Sequence, residues 1–465
     1  MKTIRVVFLL GCLLVALKAL AGADDTLKHR GYAGFTYCAL TEKDRTELKL
    51  PDLKGVLVTK VFPNTPAFRA GVRSGDVIRS IDSKAVTDDS RLVEILRNYF
   101  TDNRVEIALI REGKPHSLFL VFGALPEEKC DDLSIEYTSF SRDGIRFRAV
   151  LTSPLNSENR KLPALLMVSA LGSPRLAEFP GYDIYREVCR EVARKGFRIL
   201  RFELRGYGDS EREDYRKTDF LTEIEDNLAA FDSLRRRADV DPGKVFVFGH
   251  STGGITAAIL AGERPVAGLV TSCTIGRTYF ERLADTVRMQ DEMGGIPFPR
   301  VDENIRDYLE LTISIARGDS LEKILKTNPG LSRFVNGSGR IMDDRTVKYW
   351  RQQLNVNLAE TYAKIKAPVL IIYGASDFLT QLSCHEHIRD VLVSSGNHDV
   401  RLEVIPGLDH RYSTAQDKKE SFQNYKSGKF IKNPRPFQEI SEWLVKKAVD
   451  SPMLKMRFPK EEIVL

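Results

Sequence analysis

This 465-residue chain has few cysteines and little net charge, and both shortages exclude something. Of its six cysteines, Cys12 lies in an N-terminal apolar run, while Cys38, Cys130, Cys189, Cys273 and Cys384 are widely scattered. That spacing rules out a small disulfide-stapled scaffold, and an odd set of five leaves at least one thiol unbridged. Cys189 and Cys273 sit in apolar helix and strand contexts and read as buried free thiols. The net charge is only +6, from 70 basic and 64 acidic residues, so nothing calls for a nucleic-acid partner. There is no internal repeat and no low-complexity tract. After residue 21 no segment reads as a membrane span. What is present, 42% hydrophobic and 29% charged residues, is a globular composition, and the length predicts two or three domains.

The first residues are different. Lys2 and Arg5 precede an apolar run over 6–21, and Ala19-Leu20-Ala21 supplies a small-residue cleavage site. This is the layout of a secretory signal peptide over 1–21, and it predicts an exported protein, periplasmic or secreted. A membrane anchor is the competing reading. Against it, Gly11 and Lys18 interrupt the run, which is shorter than the roughly 20 apolar residues a span needs. A lipoprotein reading through Leu9-Leu10-Gly11-Cys12 also stands, although apolar sequence continues past Cys12. Cleavage after residue 21 removes Lys2, Arg5 and Lys18 and lowers the net charge from +6 to +3.

Residues 31–123 form a first unit of short alternating segments. Strands are expected over 56–61, 104–111 and 117–122, with a helix over 90–99 and a turn at Glu112-Gly113-Lys114. Several short strands with one helix in so few residues suggest a small, partly open barrel. The polar stretch ALPEEKCDDL at 124–133 reads as a linker. From 134 to 450 strand and helix signals alternate. Strands are expected over 145–151, 163–168, 197–202, 244–248, 266–271, 368–373 and 401–405. Helices are expected over 187–195, 219–238, 252–262, 382–393 and 434–449. Near-continuous apolar strands separated by helices mean a mostly parallel sheet covered on both faces. The gap between 271 and 368 is too long for a simple connection; its helical, charged content reads as a cap inserted over 276–362. Residues 451–465 are left as a C-terminal tail.

The stretch KVFVFGHSTGGITAA at 244–258 carries the chemical signal. A buried strand stops at Gly249 and a helix of small residues begins, with Ser251 between Gly249 and Gly253. Glycines two before and two after a nucleophile relieve the crowding of a sharp strand-to-helix turn and lift its hydroxyl clear. The alternative is an ordinary turn without chemistry. A serine needs a base, and the base an orienting acid. The strand at 368–373 leads to Asp377, and the strand at 401–405 leads to His410. In an open parallel sheet the strand C-termini share one rim, where ligands bind. Asp409 competes with Asp377 as the acid; adjacent side chains rarely face each other, which favours Asp377. His250 is expected to pack beneath the turn. A metal reading of Cys384-His385-Glu386-His387 is disfavoured, because histidines two apart on a helix point to different faces. Arg235-Arg236-Arg237 ends a helix, where cations complement the dipole.

Two family resemblances follow. The stretch NTPAFRAGVRSGDVIRSID at 64–82 resembles the core of PDZ domains of the bacterial periplasmic-protease type, over about a fifth of the chain. The resemblance implies that a peptide's C-terminal carboxylate is held by backbone N–H groups near Tyr32, Ala33, Gly34 and Phe35, with the peptide added as an edge strand. A PDZ fold that only packs and binds no peptide is the plainer alternative. From about 134 to 450, about two thirds of its length, the chain resembles an α/β-hydrolase of the esterase and aminopeptidase-like branch. It carries Gly249-x-Ser251-x-Gly253, Asp377 and His410 in family order, Arg205-Gly206-Tyr207-Gly208-Asp209-Ser210, and Asp241-Pro242 before the turn strand. The implied fold class is an α/β-hydrolase sheet with a helical cap, preceded by a small PDZ domain. The implied roles are Ser251 as nucleophile, His410 as base then acid, and Asp377 as orienter. The backbone N–H of Thr252 is one oxyanion donor. Leu171 supplies the other, with Ala170 as the alternative, because Ser169-Ala170-Leu171-Gly172 stands where relatives carry His-Gly. Glu203 stands where relatives place Asp, a departure read as structural.

The implied activity is acyl transfer on a carboxylic ester, with a peptidase as the second reading and a non-catalytic PDZ scaffold as the third. No cofactor and no metal are called for, since nucleophile, base and donors all come from protein. The expected partners are a small acyl ester or peptide substrate and a peptide C-terminus in the PDZ groove. The chain's own tail, ending Ile463-Val464-Leu465, has the apolar character such a groove accepts.

Overall fold

A computed structural model of the chain describes residues 27–157, 160–171, 176, 183–212, 214–335, 341 and 345–450. The expected leader at 1–21 and the tail at 451–465 lie outside the described residues. The chain parts into two compact units, Met1–Leu125 and Pro126–Leu465.

The first unit is a six-stranded antiparallel sheet. Its strands are β1 (Phe35–Ala39), β2 (Val56–Val61), β3 (Val77–Ile81), β4 (Lys84–Ala85), β5 (Arg104–Arg111) and β6 (Lys114–Val121). The order is β1-β2-β3-β5-β6, with β4 paired to β3, so β1 is an edge strand. The 64–82 motif folds for local reasons. The Thr65 hydroxyl caps the short helix Pro66–Ala70, which opens on proline and ends at Gly71 in the left-handed region (φ +84°). Asp76 is almost wholly buried and is gripped by Arg111, with both carboxylate oxygens 2.7 Å from guanidinium nitrogens. Val56, Ile78, Leu92 and Leu120 are fully buried among the core residues. Burying each such side chain contributes about 1.5–3 kcal/mol.

The second unit is an eight-stranded sheet of β7 (Leu133–Arg142), β8 (Ile145–Pro154), β9 (Leu162–Val168), β10 (Arg198–Phe202), β11 (Val240–His250), β12 (Gly268–Ser272), β13 (Val369–Gly374) and β14 (Val400–Ile405). The order is β14-β13-β12-β11-β9-β10-β8-β7. The six strands from β14 to β10 pair in parallel, while β8 and β7 are antiparallel additions. Two hydrophobic cores, one around Val247, Leu269 and Ile371 and one around Phe246, Val270 and Leu370, take alternate residues of the same strands. That is the physical reason these strands read as unbroken apolar runs. Between β12 and β13 the chain forms helices Tyr279–Met293, Phe298–Arg317, Leu321–Thr327, Val347–Leu354 and Leu358–Ala363.

Two features depart from the expectations. Residues Leu133–Arg142 form a ten-residue strand where none was expected. The stretch expected as a polar linker also contains a buried acid: Glu128 pairs with the buried Arg201 through two hydrogen bonds of 3.0 and 2.7 Å.

Candidate active site

The rim at the C-terminal ends of the parallel strands carries the site, and Ser251 is the residue immediately after β11. Its φ of +55° is left-handed, a conformation costly for a residue with a side chain. The turn is held by Ser251 N–H donating to Ser272 O (2.9 Å) and by the Thr274 hydroxyl donating to Ser251 O (2.6 Å). Both motif glycines are there for space. A Cβ at Gly249 would lie 2.6 Å from Ala257 Cβ, and one at Gly253 would lie 2.2 Å from Ser169 O. The strand end, the Gly253–Glu263 helix and the turn after β9 are thus packed too tightly for any larger residue. Ser251 is partly exposed.

Asp377 and His410 meet. His410 Nδ1 donates to Asp377 Oδ2 at 2.8 Å, with Asp377 fully buried and His410 8% exposed. The same carboxylate accepts from the Thr380 hydroxyl (2.5 Å) and from the N–H groups of Leu379 (2.6 Å) and Thr380 (3.1 Å). Burial alone would push the Asp377 carboxyl up. The charge and hydrogen bond of His410, the Thr380 hydroxyl and the Leu379 N–H outweigh it and hold the carboxyl at about 2. Asp409 turns away from the imidazole: its Oδ1 accepts from the N–H groups of Arg411 (2.8 Å) and Ser413 (2.7 Å), closing its own loop. The His410 ring lies 4.9 Å from the ring of His250, the neighbour of Ser251. Among the described residues no hydrogen bond joins the Ser251 hydroxyl to His410. In proteins without substrate such contacts are commonly long and tighten on binding.

The oxyanion side is occupied by the protein itself. Leu171 N–H donates to the Thr252 hydroxyl (2.8 Å), and Ala170 N–H donates to the Tyr185 hydroxyl (2.9 Å). Beneath this turn a cavity of about 20 Å³ is lined by Leu171, Thr252, Asn227 and Tyr349, among others. A wider cleft of about 640 Å³ lies between the Tyr279–Met293 helix and the β13–β14 edge, with Met289, Met293, Tyr373 and Lys418 in its wall. Ser251 lines neither.

The 203–210 loop answers the Glu203 departure. Glu203 Oε2 accepts the Asp209 N–H (2.8 Å), and Gly208, at φ +52°, leaves the room that its carboxylate fills, since a Cβ there would lie 2.2 Å from it. Burial, reinforced by the Asp209 charge, pushes the Glu203 carboxyl up to about 8.

Among the described residues, His250, Cys273 and His410 offer ligand atoms within 4.8 Å of one another. Both imidazoles are already engaged in hydrogen bonds, and burial raises the Cys273 thiol well above its usual range, so the cluster serves the rim better than a cation. The His385 ring bridges Thr274 N–H (3.0 Å) and Gln381 O (2.8 Å).

In the PDZ unit one expected donor is ruled out. Tyr32 N–H is spent on Gly123 O (2.8 Å), within the unit's own bridge, so it cannot hold a carboxylate. The carbonyls of Ala33 and Gly34 accept from Ala67 and Phe62. With Phe62 N–H on Gly34 O, Phe35 and Val61 form a non-hydrogen-bonded pair, so Phe35 N–H faces the open edge of β1. Sequence reasoning missed Tyr185, which belongs to no motif and sits in the first turn of a helix of ordinary amphipathic pattern.

Comparison with known proteins agrees with this architecture. The serine aminopeptidase S33 family matches residues 181–417, about half the chain, and the PDZ domain family matches residues 27–120. The magnetosome formation protease MamE of Magnetospirillum gryphiswaldense is 34% identical over 90 residues, 19% of this chain and 12% of that protein. The periplasmic serine endoprotease DegP of Salmonella typhimurium is 26% identical over 106 residues, 23% of this chain and 22% of that protein. The chain therefore spans less than a quarter of either relative. Among solved structures, Est1E from Butyrivibrio proteoclasticus with bound ferulic acid has 15% identity and a TM-score of 0.43, covering 68% of this chain and 98% of that one. The acylaminoacyl peptidase of Pyrococcus horikoshii has 14% identity and a TM-score of 0.43, covering 74% and 48%. These scores lie below 0.5, and the architecture rests on the strand order, not on the overlays. The chain is an α/β-hydrolase that belongs to the serine aminopeptidase S33 family and carries a PDZ domain ahead of its hydrolase domain.

Proposed function

We propose that the protein is an exported serine hydrolase that cleaves a carboxylic ester through an acyl-enzyme, with Ser251 as nucleophile, His410 as base and Asp377 as orienter. The observation that carries this reading is the 2.8 Å bond between His410 Nδ1 and Asp377 on the rim where the Ser251 turn ends. That bond fixes the tautomer, leaving Nε2 as the basic nitrogen. In the forward step the Ser251 oxygen bonds to the substrate carbonyl carbon and its proton passes to His410 Nε2. The carbonyl electrons collect on oxygen, held by the Thr252 and Leu171 N–H groups. The tetrahedral centre collapses, the alkoxide leaves with the proton from Nε2, and water repeats the sequence to free Ser251. Asp377 stays ionised throughout.

The domain limits belong to the same reading: a leader over 1–21, a PDZ domain over 31–123, a linker over 124–133, a hydrolase domain over 134–450 with its cap over 276–362, and a C-terminal tail over 451–465. The PDZ domain would take peptide C-termini along the open edge of β1, with Ala33, Gly34 and Phe35 at the carboxylate end. Export is supported by the leader pattern and by the periplasmic relative. A peptidase is the second reading, favoured by the family's description as serine aminopeptidases.

A fluorophosphonate probe tests the nucleophile: it should label the wild-type protein and not Ser251→Ala. Turnover of p-nitrophenyl acyl esters against aminoacyl and peptidyl anilides then separates ester from peptide chemistry. Turnover of anilides alone reverses the order of the two readings.

A further inference from the structure

The oxyanion turn and the backbone of His410 are joined by a continuous line of hydrogen bonds. Ala170 N–H donates to the Tyr185 hydroxyl (2.9 Å), that hydroxyl lies 3.3 Å from His250 Nδ1, and His250 Nε2 lies 2.9 Å from the carbonyl oxygen of His410. The chemistry fixes the direction of every link. A carbonyl oxygen can only accept, so Nε2 carries the ring proton. A neutral imidazole has one such proton, so Nδ1 is bare and accepts from the Tyr185 hydroxyl. The Tyr185 oxygen in turn accepts from Ala170. Burial, with the His410 charge second, pushes His250 down to about 3, so the ring stays neutral across the working range of pH.

The line spans much of the sheet. Ala170 follows β9, Tyr185 sits in the first turn of the Ile184–Arg194 helix capped by Asp183, His250 ends β11, and His410 lies in the loop after β14. Packing holds the middle link: the His250 ring is edge-on to Tyr185 at 5.8 Å and to Tyr412 at 5.7 Å. The two turn donors differ in where they aim. Ala170 N–H aims at Tyr185 on the neighbouring helix, whereas Leu171 N–H aims at the hydroxyl of Thr252, the residue after the nucleophile, so Leu171 is the donor placed beside Ser251.

We propose that Tyr185 and His250 are positioning residues that hold the Ala170–Leu171 turn and the His410 backbone at a fixed spacing, so that Leu171 and Thr252 form the oxyanion site opposite the base. The inference rests on the acyl-transfer reading above. Neither side chain touches the reacting atoms. Their effect is transmitted through the backbone of groups that do, and misplacing such groups by a fraction of an ångström lowers turnover without weakening ground-state binding.

The test uses the full chain, with active sites counted by fluorophosphonate labelling. Tyr185→Phe keeps the ring and removes only the hydroxyl. It should lower kcat by about ten- to a hundredfold, with KM within about twofold and little change in Tm. His250→Gln keeps a donor for His410 O through its amide nitrogen but has no acceptor at the place of Nδ1, where Tyr185 binds, and should lower kcat similarly. If the two act as one line, the double variant is no worse than the poorer single one, whereas two independent packing defects would multiply. Should either single variant fail to fold, the other alone decides the inference through its kcat and KM. Wild-type kcat in Tyr185→Phe, an effect confined to Tm, or multiplying effects in the double variant would overturn the tether and leave the acyl-transfer reading standing. A wild-type protein that takes no label removes both.

Discussion

The two halves of the rim are built differently. On the acid–base side, Asp377 has every oxygen engaged and His410 is already docked on it. On the oxyanion side, the two candidate turn donors are tied up by the protein's own hydroxyls, Leu171 by Thr252 and Ala170 by Tyr185. In the proposed reaction the first half is complete at rest and has only to receive a proton. The second would have to exchange a partner: the Thr252 hydroxyl must release Leu171 before an oxyanion could take it. On that reading, order is invested where charge persists, and an exchangeable cap sits where charge is transient.

The largest effect should come from the residue both halves serve. Ser251→Ala should lower kcat by about 10⁶-fold in a steady-state ester assay, with normal folding by circular dichroism. Next comes the acid–base half. Asp377→Asn should cost about 10⁴-fold in kcat by stabilising the wrong imidazole tautomer. Asp409→Asn, one residue from His410 in sequence, should cost less than about tenfold and show mainly as a lower Tm, since Asp409 serves its own loop. Equal losses in the two variants would break the distinction between Asp377 and Asp409. The oxyanion half should respond with the opposite sign. Thr252→Val keeps the shape of the side chain and removes the acceptor, so the Leu171 N–H is free in advance. A neutral hydrogen bond is worth about 1 kcal/mol, so kcat should rise by up to about fivefold, read from kcat at saturating substrate. A fall in kcat would mean that the hydroxyl orders the turn.

The smallest effect belongs to neither half. Glu203 is held protonated in the fold, at about 8, by burial and then by the Asp209 charge. An unfolded glutamate titrates near 4.3. The folded state therefore binds the extra proton between those values, and the stability it gives is full below about 4.3 and lost as pH rises through about 8. Glu203→Gln should flatten the fall of Tm between pH 6 and 9, followed by thermal melts across that range.

Much of this was legible in the sequence, for reasons that can be named. The strands β9, β11 and β13 are covered on both faces, so their apolar runs stand out without periodicity. Gly249 and Gly253 were readable because a turn this tight admits no Cβ, and the choice of Asp377 over Asp409 followed from the geometry of adjacent residues. Other features left no mark. Strand β7 is the sheet's outer antiparallel strand, and its mixed sequence LSIEYTSFSR merges with the polar stretch before it. Glu128 looked like one more linker acid, because its partner Arg201 is 73 residues away. The oxyanion register stayed open between Ala170 and Leu171 because it turns on the tether proposed for Tyr185, and a hydroxyl arriving from the next helix has no signature in either segment. Tyr32 was expected to donate to a peptide because the loop motif does not say which N–H groups the fold spends on itself.

The left-handed backbone at residue 251 has a practical consequence for anyone wishing to trap this protein with an intact ligand. If Ser251 is the nucleophile proposed above, its reactivity is maintained at the expense of chain comfort, and glycine is the one replacement that would remove the side chain and the discomfort together. Ser251→Gly should thus be an inert form sturdier than its parent, suited to long soaks with uncleaved compounds that the working enzyme would consume.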